Sequence, residues 1–328
     1  MSFILRRLVF YLVTAWVALT INFFIPRAMP GNAVESIMSK FPNLQPSAYQ
    51  ALEAMLGVGH PGSIWHQYTS YLVDVFHFNF GTDVTQYPAQ VSTLLGESIP
   101  WTLTLVGMAT VIAFLIGTAL GIAAGWRHGG SLDRVLPGLM FLQAIPYFFF
   151  ALILIELFAV KLHVFPIGQG YAEGLVPGWN WAFISSAVYH SLLPALTIIL
   201  TSIAGWMLQM RNVMITTIGE DYVIAAQAKG LPSHRVIFTY AARNALLPQL
   251  QGFGLAVGFV VSGALIMEIV FSYPGIGLQL LNAVTSNDYP LMQAIFLVIT
   301  FAVLLANMIV DIIIVFVDPR ARVREAAR

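Results

Sequence analysis

The 328-residue sequence contains no cysteine, which excludes disulfides, thiolate metal sites and cysteine nucleophiles. Charge is scarce too. Asp, Glu, Lys and Arg make up 9% of the chain, against about 25% in soluble domains. Acids and bases balance at 15 each, so there is no basic excess with which to track nucleic acid. Several motifs are missing as well. The chain has no G-x-x-x-x-G-K-[ST] run to cradle nucleotide phosphates, no H-E-x-x-H metal pair and no G-x-S-x-G nucleophile turn. The alternating ten-residue strands of a membrane barrel are not visible, nor is an inverted internal repeat of the kind many secondary transporters use.

What is present in quantity is apolar sequence, with a mean hydropathy of +0.80. About 20 apolar residues at 1.5 Å rise cross a hydrocarbon core of about 30 Å, and in lipid the backbone must satisfy its own hydrogen bonds, so helices are the default. Six spans are expected, at about residues 8–26, 101–126, 136–160, 191–210, 250–271 and 291–317. The first is longer than the apolar core of a secretory signal and no small-x-small cleavage site follows, so it is expected to be a retained helix. Lys and Arg set the orientation. With the N-terminus inside, the inner segments hold Arg6, Arg7, Arg127, Arg134, Arg211, Lys229, Arg235, Arg243, Arg320, Arg322, Arg324 and Arg328. The outer segments hold only Arg27, Lys40 and Lys161. Twelve against three places both termini in the cytoplasm.

Four parts follow: an N-terminal helix (1–30), an extracytoplasmic cap segment (31–99), a core with five spans (100–320) and a cytoplasmic tail (321–328). In the cap, helical runs at 48–56 and 65–78 are broken at 57–62 and at Gly81, and Trp65, Tyr68, Tyr71 and Phe76 are candidates to pack it down. A cytoplasmic loop at 212–248 interrupts the core, and connections that long usually fold or function. Within it, Thr217-Ile218-Gly219-Glu220 fits a capping box. A short helix should follow through Lys229, ended by a left-handed Gly230 and by Pro232. Ser233 is expected to cap a second helix leading into the fifth span. Small faces at Ala225 and Ala228 suit close approach of another surface. An ordered surface helix and a docking helix are both consistent with these residues.

The stretch from Asp221 to Leu231, DYVIAAQAKGL, followed by Arg243-Asn244-Ala245-Leu246-Leu247-Pro248, resembles the EAA loop of the dipeptide/oligopeptide permease family of ABC importers. Other family-like stretches lie along the chain in order. They are Pro26-Arg27-Ala28-Met29-Pro30-Gly31, Phe78-Asn79-Phe80-Gly81-Thr82, Ser131-Leu132-Asp133-Arg134, Leu193-Pro194-Ala195-Leu196-Thr197, the run from Glu268 to Gly277, Asn287-Asp288-Tyr289-Pro290 and Asp318-Pro319-Arg320. The resemblance implies an all-α integral membrane fold with six transmembrane helices, the ABC type I importer permease (MetI-like) architecture, in a bacterial or archaeal inner membrane. It implies a non-catalytic subunit that holds no cofactor or metal, with ATP and Mg on two partner ATP-binding subunits. A second homologous permease and an extracytoplasmic substrate-binding protein complete the implied assembly, in lipid and without nucleic acid. In that family the loop is the coupling helix. Carried over, Ala225, Ala226 and Gly230 would shape the ATPase contact, with Lys229 and Tyr222 beside them. The glutamate that names the loop is absent; Ile224 stands in its place. Peptides are the implied cargo, with short oligosaccharides the alternative.

Acids inside apolar runs usually face a cavity or a partner. Glu156, Glu268 and Asp311 fall in this class. Together they could also form the relay of an ion-coupled transporter, the competing reading. Glu156, Glu268, Tyr273 and Pro274 are the candidate pathway or gate residues, and His190 is expected to be a satisfied interfacial residue. Trp179 and Trp181 fit an interfacial aromatic belt as well as a contact with a binding protein or cargo. Glycines four apart, Gly117, Gly121 and Gly125 in the second span and Gly254 and Gly258 in the fifth, allow close backbone approach. They serve either static packing or sliding.

Overall fold

A computed structural model describes residues 3–28, 63–258, 260 and 265–317. The expected helix at 48–56, the break at 57–62, the Asp318-Pro319-Arg320 stretch and the tail 321–328 lie outside the described residues. So do Lys40 and the last four arginines.

The described residues are helical apart from turns and one isolated antiparallel bridge, Thr82 to Gln90. In chain order the helices are α1 (Phe3–Ala28), α2 (Ile64–Phe76), α3 (Val91–Trp126), α4 (Ser131–Ala144), α5 (Tyr147–Lys161), α6 (Trp181–Ile218), α7 (Asp221–Ala228), α8 (233–258), α9 (Leu265–Val270), α10 (Ile276–Thr285) and α11 (Tyr289–Val317). Wider π turns interrupt α3 at Leu103–Gly107, α5 at Ile155–Lys161 and α8 at Val236–Ala242.

Four of these helices, α1, α3, α6 and α11, are long and apolar enough to cross a membrane. The expected third span is instead two helices, α4 and α5, bent by 98° at Ile145–Pro146. Pro146 stands at the N-cap of α5 and has no N–H with which to continue α4. Counted as one span, the pair brings the crossings among the described residues to five. The expected span at 250–271 falls on the end of α8 and on α9, with residues 259 and 261–264 outside the described residues. The other expected spans match, with longer helices. At 38 residues, α6 is about 57 Å long and overshoots a bilayer core of about 30 Å.

The chain divides into two compact units, Met1–Trp101 with Pro274–Leu304, and Thr102–Tyr273 with Leu305–Arg328. In the first unit α2 packs on α1. The Tyr68 hydroxyl pairs with Thr20 Oγ1 at 2.7 Å, and Asn22 Nδ2 donates to the Tyr71 hydroxyl at 3.1 Å and to the Gln293 carbonyl at 2.8 Å. Each bond satisfies a polar group that an apolar helix could not leave bare. Tyr68 and Tyr71 therefore do the packing expected of them. Trp65 and Phe76 do not share in this packing: they are 71% and 76% exposed, and the Trp65 ring leans on Tyr68 with centroids 5.9 Å apart.

The second unit is built on the α3–α6 seam. A Cβ at Gly117 would stand 2.6 Å from Trp206 Cβ, one at Gly121 2.6 Å from the Met207 carbonyl oxygen, and one at Gly125 2.5 Å from Met214 Cβ. The glycine row of α3 thus lies directly on the backbone of α6. Within this unit Gln249 of α8 is fully buried, and its Nε2 donates to Thr118 Oγ1 at 3.2 Å and to the Trp206 carbonyl at 3.0 Å. It pins α8 to both helices of the seam.

Candidate functional site: the α7 loop and an intramembrane cavity

Both features belong to the second unit. The loop begins where α6 ends, and α6 runs through Ile218. Thr217 is therefore still helical, and its hydroxyl donates to the Val213 carbonyl at 2.7 Å instead of capping α7. The expected capping box does not form. Glu220 is the N-cap of α7, without a side-chain cap bond, and Asp221 occupies the first turn, where the helix dipole favours an acid. Nor does Ser233 cap α8. Pro232 takes the N-cap, and Ser233 is the first helical residue.

The C-terminal end of α7 matches the expectation. Gly230 has φ +71°, its N–H donates to the Gln227 carbonyl at 2.9 Å, and the Leu231 N–H donates to the Ala226 carbonyl at 3.4 Å. This is a Schellman closure with its apolar contact, since Leu231 packs on the same cluster as Ala226.

Helical spacing gives α7 two faces. Val223 and Ala226 are buried in a cluster with Met210 and Met214 of α6 and Val236, Ala241, Ala242 and Ala245 of α8. Tyr222, Ile224, Ala225 and Lys229 face outward, with Tyr222 and Ile224 41% and 50% exposed. Of the five expected coupling residues, Tyr222, Ala225, Lys229 and Gly230 are at the surface. Ala226 lies beneath it, in the apolar cluster. Ile224 presents an apolar side chain at the outward face.

A buttress missed in the sequence stands nearby on α6. Arg211 reaches Asp133 at the start of α4 with two bonds, Nε to Oδ1 at 2.6 Å and Nη2 to Oδ2 at 3.1 Å. Asp133 Oδ2 also accepts the Gly129 N–H at 2.6 Å. A forked, charge-assisted contact of this kind fixes geometry as well as energy. It latches the turn between α3 and α4 to the same end of α6 on which α7 rests. The Ser131-Leu132-Asp133-Arg134 stretch marked the place, and nothing in the sequence supplied the partner.

The cavity, about 420 Å³, lies where α4 breaks into α5. Gln143, Tyr147, Thr201, Ser202, Trp206 and Met267 are among the residues around it. Its lining is mostly aliphatic, with hydroxyl, amide and aromatic groups set among it and no formal charge. Non-helical backbone at membrane depth is tolerated only when buried in protein or when lining a water-filled space. Residues 144–146 lie on this wall, so the break and the cavity account for each other. Trp206 is held by an edge contact with Phe114 at 5.3 Å between ring centroids.

The expected pathway residues are not gathered here. Glu156 sits on the π turn of α5, 57% exposed, and pairs with Lys161 at 3.4 Å. Glu268 is fully buried on α9, next to the cavity-lining Met267 but not itself on the wall. Tyr273 is buried too, and its hydroxyl pairs with Ser191 Oγ at 2.9 Å, while its N–H donates to the Glu268 carbonyl at 2.7 Å. The Phe271 carbonyl accepts the Gln169 N–H at 2.8 Å, so the end of α9 is tied to the segment before α6. Pro274 is half-buried and belongs to the first unit. The Asp311 side chain lies outside the described residues. His190 Nδ1 bonds its own helix at the Ser186 carbonyl, 2.8 Å, so the ring has the partner expected of it.

Comparison with known proteins agrees with this architecture. The chain is 30% identical over 320 residues to the oligopeptide transport system permease protein AppB of Bacillus subtilis (strain 168), covering 97% of this chain and 98% of that protein. It is 32% identical to the di/tripeptide transport system permease protein DppB of Pseudomonas aeruginosa (strain UCBPP-PA14), over 98% of this chain and 99% of the relative. The dipeptide transport system permease protein DppB of Escherichia coli (strain K12) is 30% identical over the same shares. Residues 117–323 match the family described as binding-protein-dependent transport system inner membrane component. The chain belongs to that family, as a membrane permease subunit of a binding-protein-dependent transport system.

Proposed function

We propose that this chain forms half of the translocation pathway of an ATP-driven importer, passing peptides received from an external binding protein. The observation that carries the cargo assignment is likeness along almost the whole chain to proteins named as oligopeptide, di/tripeptide and dipeptide permeases. The second half of the pathway is a homologous permease subunit. Two separate ATP-binding subunits hold ATP and Mg, and this chain carries the transport step without catalysing hydrolysis. Both termini lie in the cytoplasm, following the distribution of Lys and Arg.

Force enters at the outward face of α7. A helix backed by an apolar cluster and closed by a rigid cap moves as a body, so displacement at Tyr222 and Ala225 reaches α6 and α8 through Val223 and Ala226. The cavity at the α4–α5 break is the part of this chain that meets the cargo. Its uncharged hydroxyl and amide groups suit the main chain of a peptide, which is common to all sequences, and favour no particular side chain.

The test is reconstitution of the permease pair with its ATP-binding subunits and binding protein in vesicles. Labelled di- and oligopeptides should accumulate with ATP inside and continue to do so when the proton gradient is collapsed. Accumulation of short oligosaccharides with no peptide uptake would replace the cargo and keep the mechanism. Uptake by this chain alone, driven by a proton gradient, would overturn both.

A further inference from the structure

Asp83 and Asp288, both in the first unit, are fully buried, and Asp288 takes the N–H of Val84, the residue next to Asp83, which brings the two acids together. Asp83 sits in the turn before α3 and Asp288 in the turn between α10 and α11. Asp288 is saturated by backbone donors, Val84 N–H to Oδ2 at 2.6 Å and Leu291 N–H to Oδ1 at 3.0 Å. Asp83 is not. Its Oδ1 accepts the Thr85 hydroxyl at 2.8 Å and the Gln86 N–H, while its Oδ2 is buried without a donor. Among the described residues no lysine, arginine or histidine is ion-paired with either acid, and the only charged group acting on Asp288 is Asp83.

Two buried carboxylates brought this close cannot both stay ionised without strong repulsion. One proton removes the repulsion and fills the vacant bond at Asp83 Oδ2. A proton held between the two acids closes the open position at Asp83 Oδ2, and both Asp288 oxygens keep their backbone N–H donors. We propose that Asp83 and Asp288 hold a single shared proton and form an acid-closed clasp, joining the turn before α3 to the turn before α11 and loosening when the medium turns alkaline.

Titration of the site runs in the direction this requires. Burial, with Asp83 adding repulsion, pushes the Asp288 carboxyl up to about 6 from 3.8. A raised carboxyl value means that the folded state holds a proton the unfolded chain has already released. The resulting stability is fully present below about pH 4 and is lost as pH rises through about 6. On the proposed orientation the clasp faces the outer compartment, and it stands apart from cargo and coupling.

Hydrogen exchange on the purified full-length chain tests it without any transport assay. After correction for intrinsic exchange, protection of the Val84 and Leu291 amides should fall about 10- to 100-fold between pH 5 and pH 8, the range set by a shift of about two units. In Asp83→Asn the new amide donates to Asp288 permanently, so both amides should stay protected at pH 8. Asp288→Asn turns an NH₂ toward one of those N–H groups and should lose protection at both pH values. Protection in the unaltered chain that is flat from pH 5 to 8 would overturn the proposal whatever the variants do. So would an Asp83→Asn protein that keeps the full pH response.

Discussion

At Gly117, Gly121 and Gly125 a side chain is excluded by what lies outside the backbone, whereas at Gly230 it is excluded by the backbone itself. A Cβ on the α3 row would come within 2.5–2.6 Å of α6 at all three positions, and every one of these glycines has an ordinary helical conformation. A Cβ at Gly230 would touch nothing within 4 Å, but φ +71° is a conformation in which L side chains are strained. One set of glycines makes a seam; the other makes a cap. Two kinds of substitution therefore separate them, one that adds volume and one that adds only backbone strain.

Adding volume at the seam should have the largest effect. In Gly121→Leu the new side chain has to displace the Met207 carbonyl and Met210 Cβ. Overpacking typically costs about 1–3 kcal/mol where neighbours can yield, and a helix backbone yields least. The expected outcome is loss of monodisperse protein on size-exclusion chromatography, together with a lower thermal midpoint. A Gly121→Leu protein as stable as its parent would mean that α3 and α6 do not pack as described.

Strain at the cap should be milder for the fold and severe for coupling. Gly230→Val adds the left-handed penalty of about 1–2 kcal/mol, made worse by β-branching, while Gly230→Asn keeps a residue that tolerates this region. ATP-driven uptake by the reconstituted complex should fall about tenfold in the valine protein, the factor that about 1.4 kcal/mol represents, and should largely return in the asparagine protein. Equal uptake by the two would remove the cap from the mechanism.

The two sets of glycines also show how far the sequence could be read. The cap was legible because it is local. Gly230 and Pro232 follow a short apolar helix within a few residues, and the conformation is dictated there. The seam was half legible, since spacing of four announced a close contact without naming α6 as its partner. Long-range pairs were not legible at all. Asp133 meets Arg211 across 78 residues and Asp288 takes the Val84 N–H across 204, and no local pattern encodes such distances. The capping box failed for a related reason. Thr217-Ile218-Gly219-Glu220 has the right letters, but α6 runs on past them, so the threonine hydroxyl is spent on Val213. The break at Pro146 was hidden inside an unbroken apolar run, because hydropathy records composition and not direction.

The two faces of α7 extend the comparison to alanine. Ala225 and Ala226 are neighbours with the same side chain, one exposed and one 2% exposed. Ala226→Trp should lower the thermal midpoint of the isolated permease, because a large ring enters the cluster around Met210 and Met214. Ala225→Trp should leave that midpoint within about 0.5 kcal/mol of its original stability, as surface changes usually do. Its effect should appear only as weaker binding of the ATP-binding subunit, measured by co-purification or calorimetry. If both tryptophan variants destabilise the chain equally, α7 is a structural helix with no free face.

The smallest effect is expected at Glu156, where the comparison is with acids that are buried. Glu268 is fully enclosed and Glu156 is not. It lies at the end of α5, with Lys161 at 3.4 Å and more than half of each side chain exposed. Exposed pairs of this kind are worth about 0–1 kcal/mol, so Glu156→Gln should leave thermal stability and ATP-driven peptide uptake unchanged within error. A proton relay makes the opposite demand, since removing its outermost titratable group would abolish the driving step. Uptake by Glu156→Gln vesicles, measured with and without a collapsed proton gradient, therefore decides between them. Full activity in both arms leaves ATP as the driving force, whereas activity lost in the variant and in the uncoupled parent alike would make Glu156 part of an ion pathway.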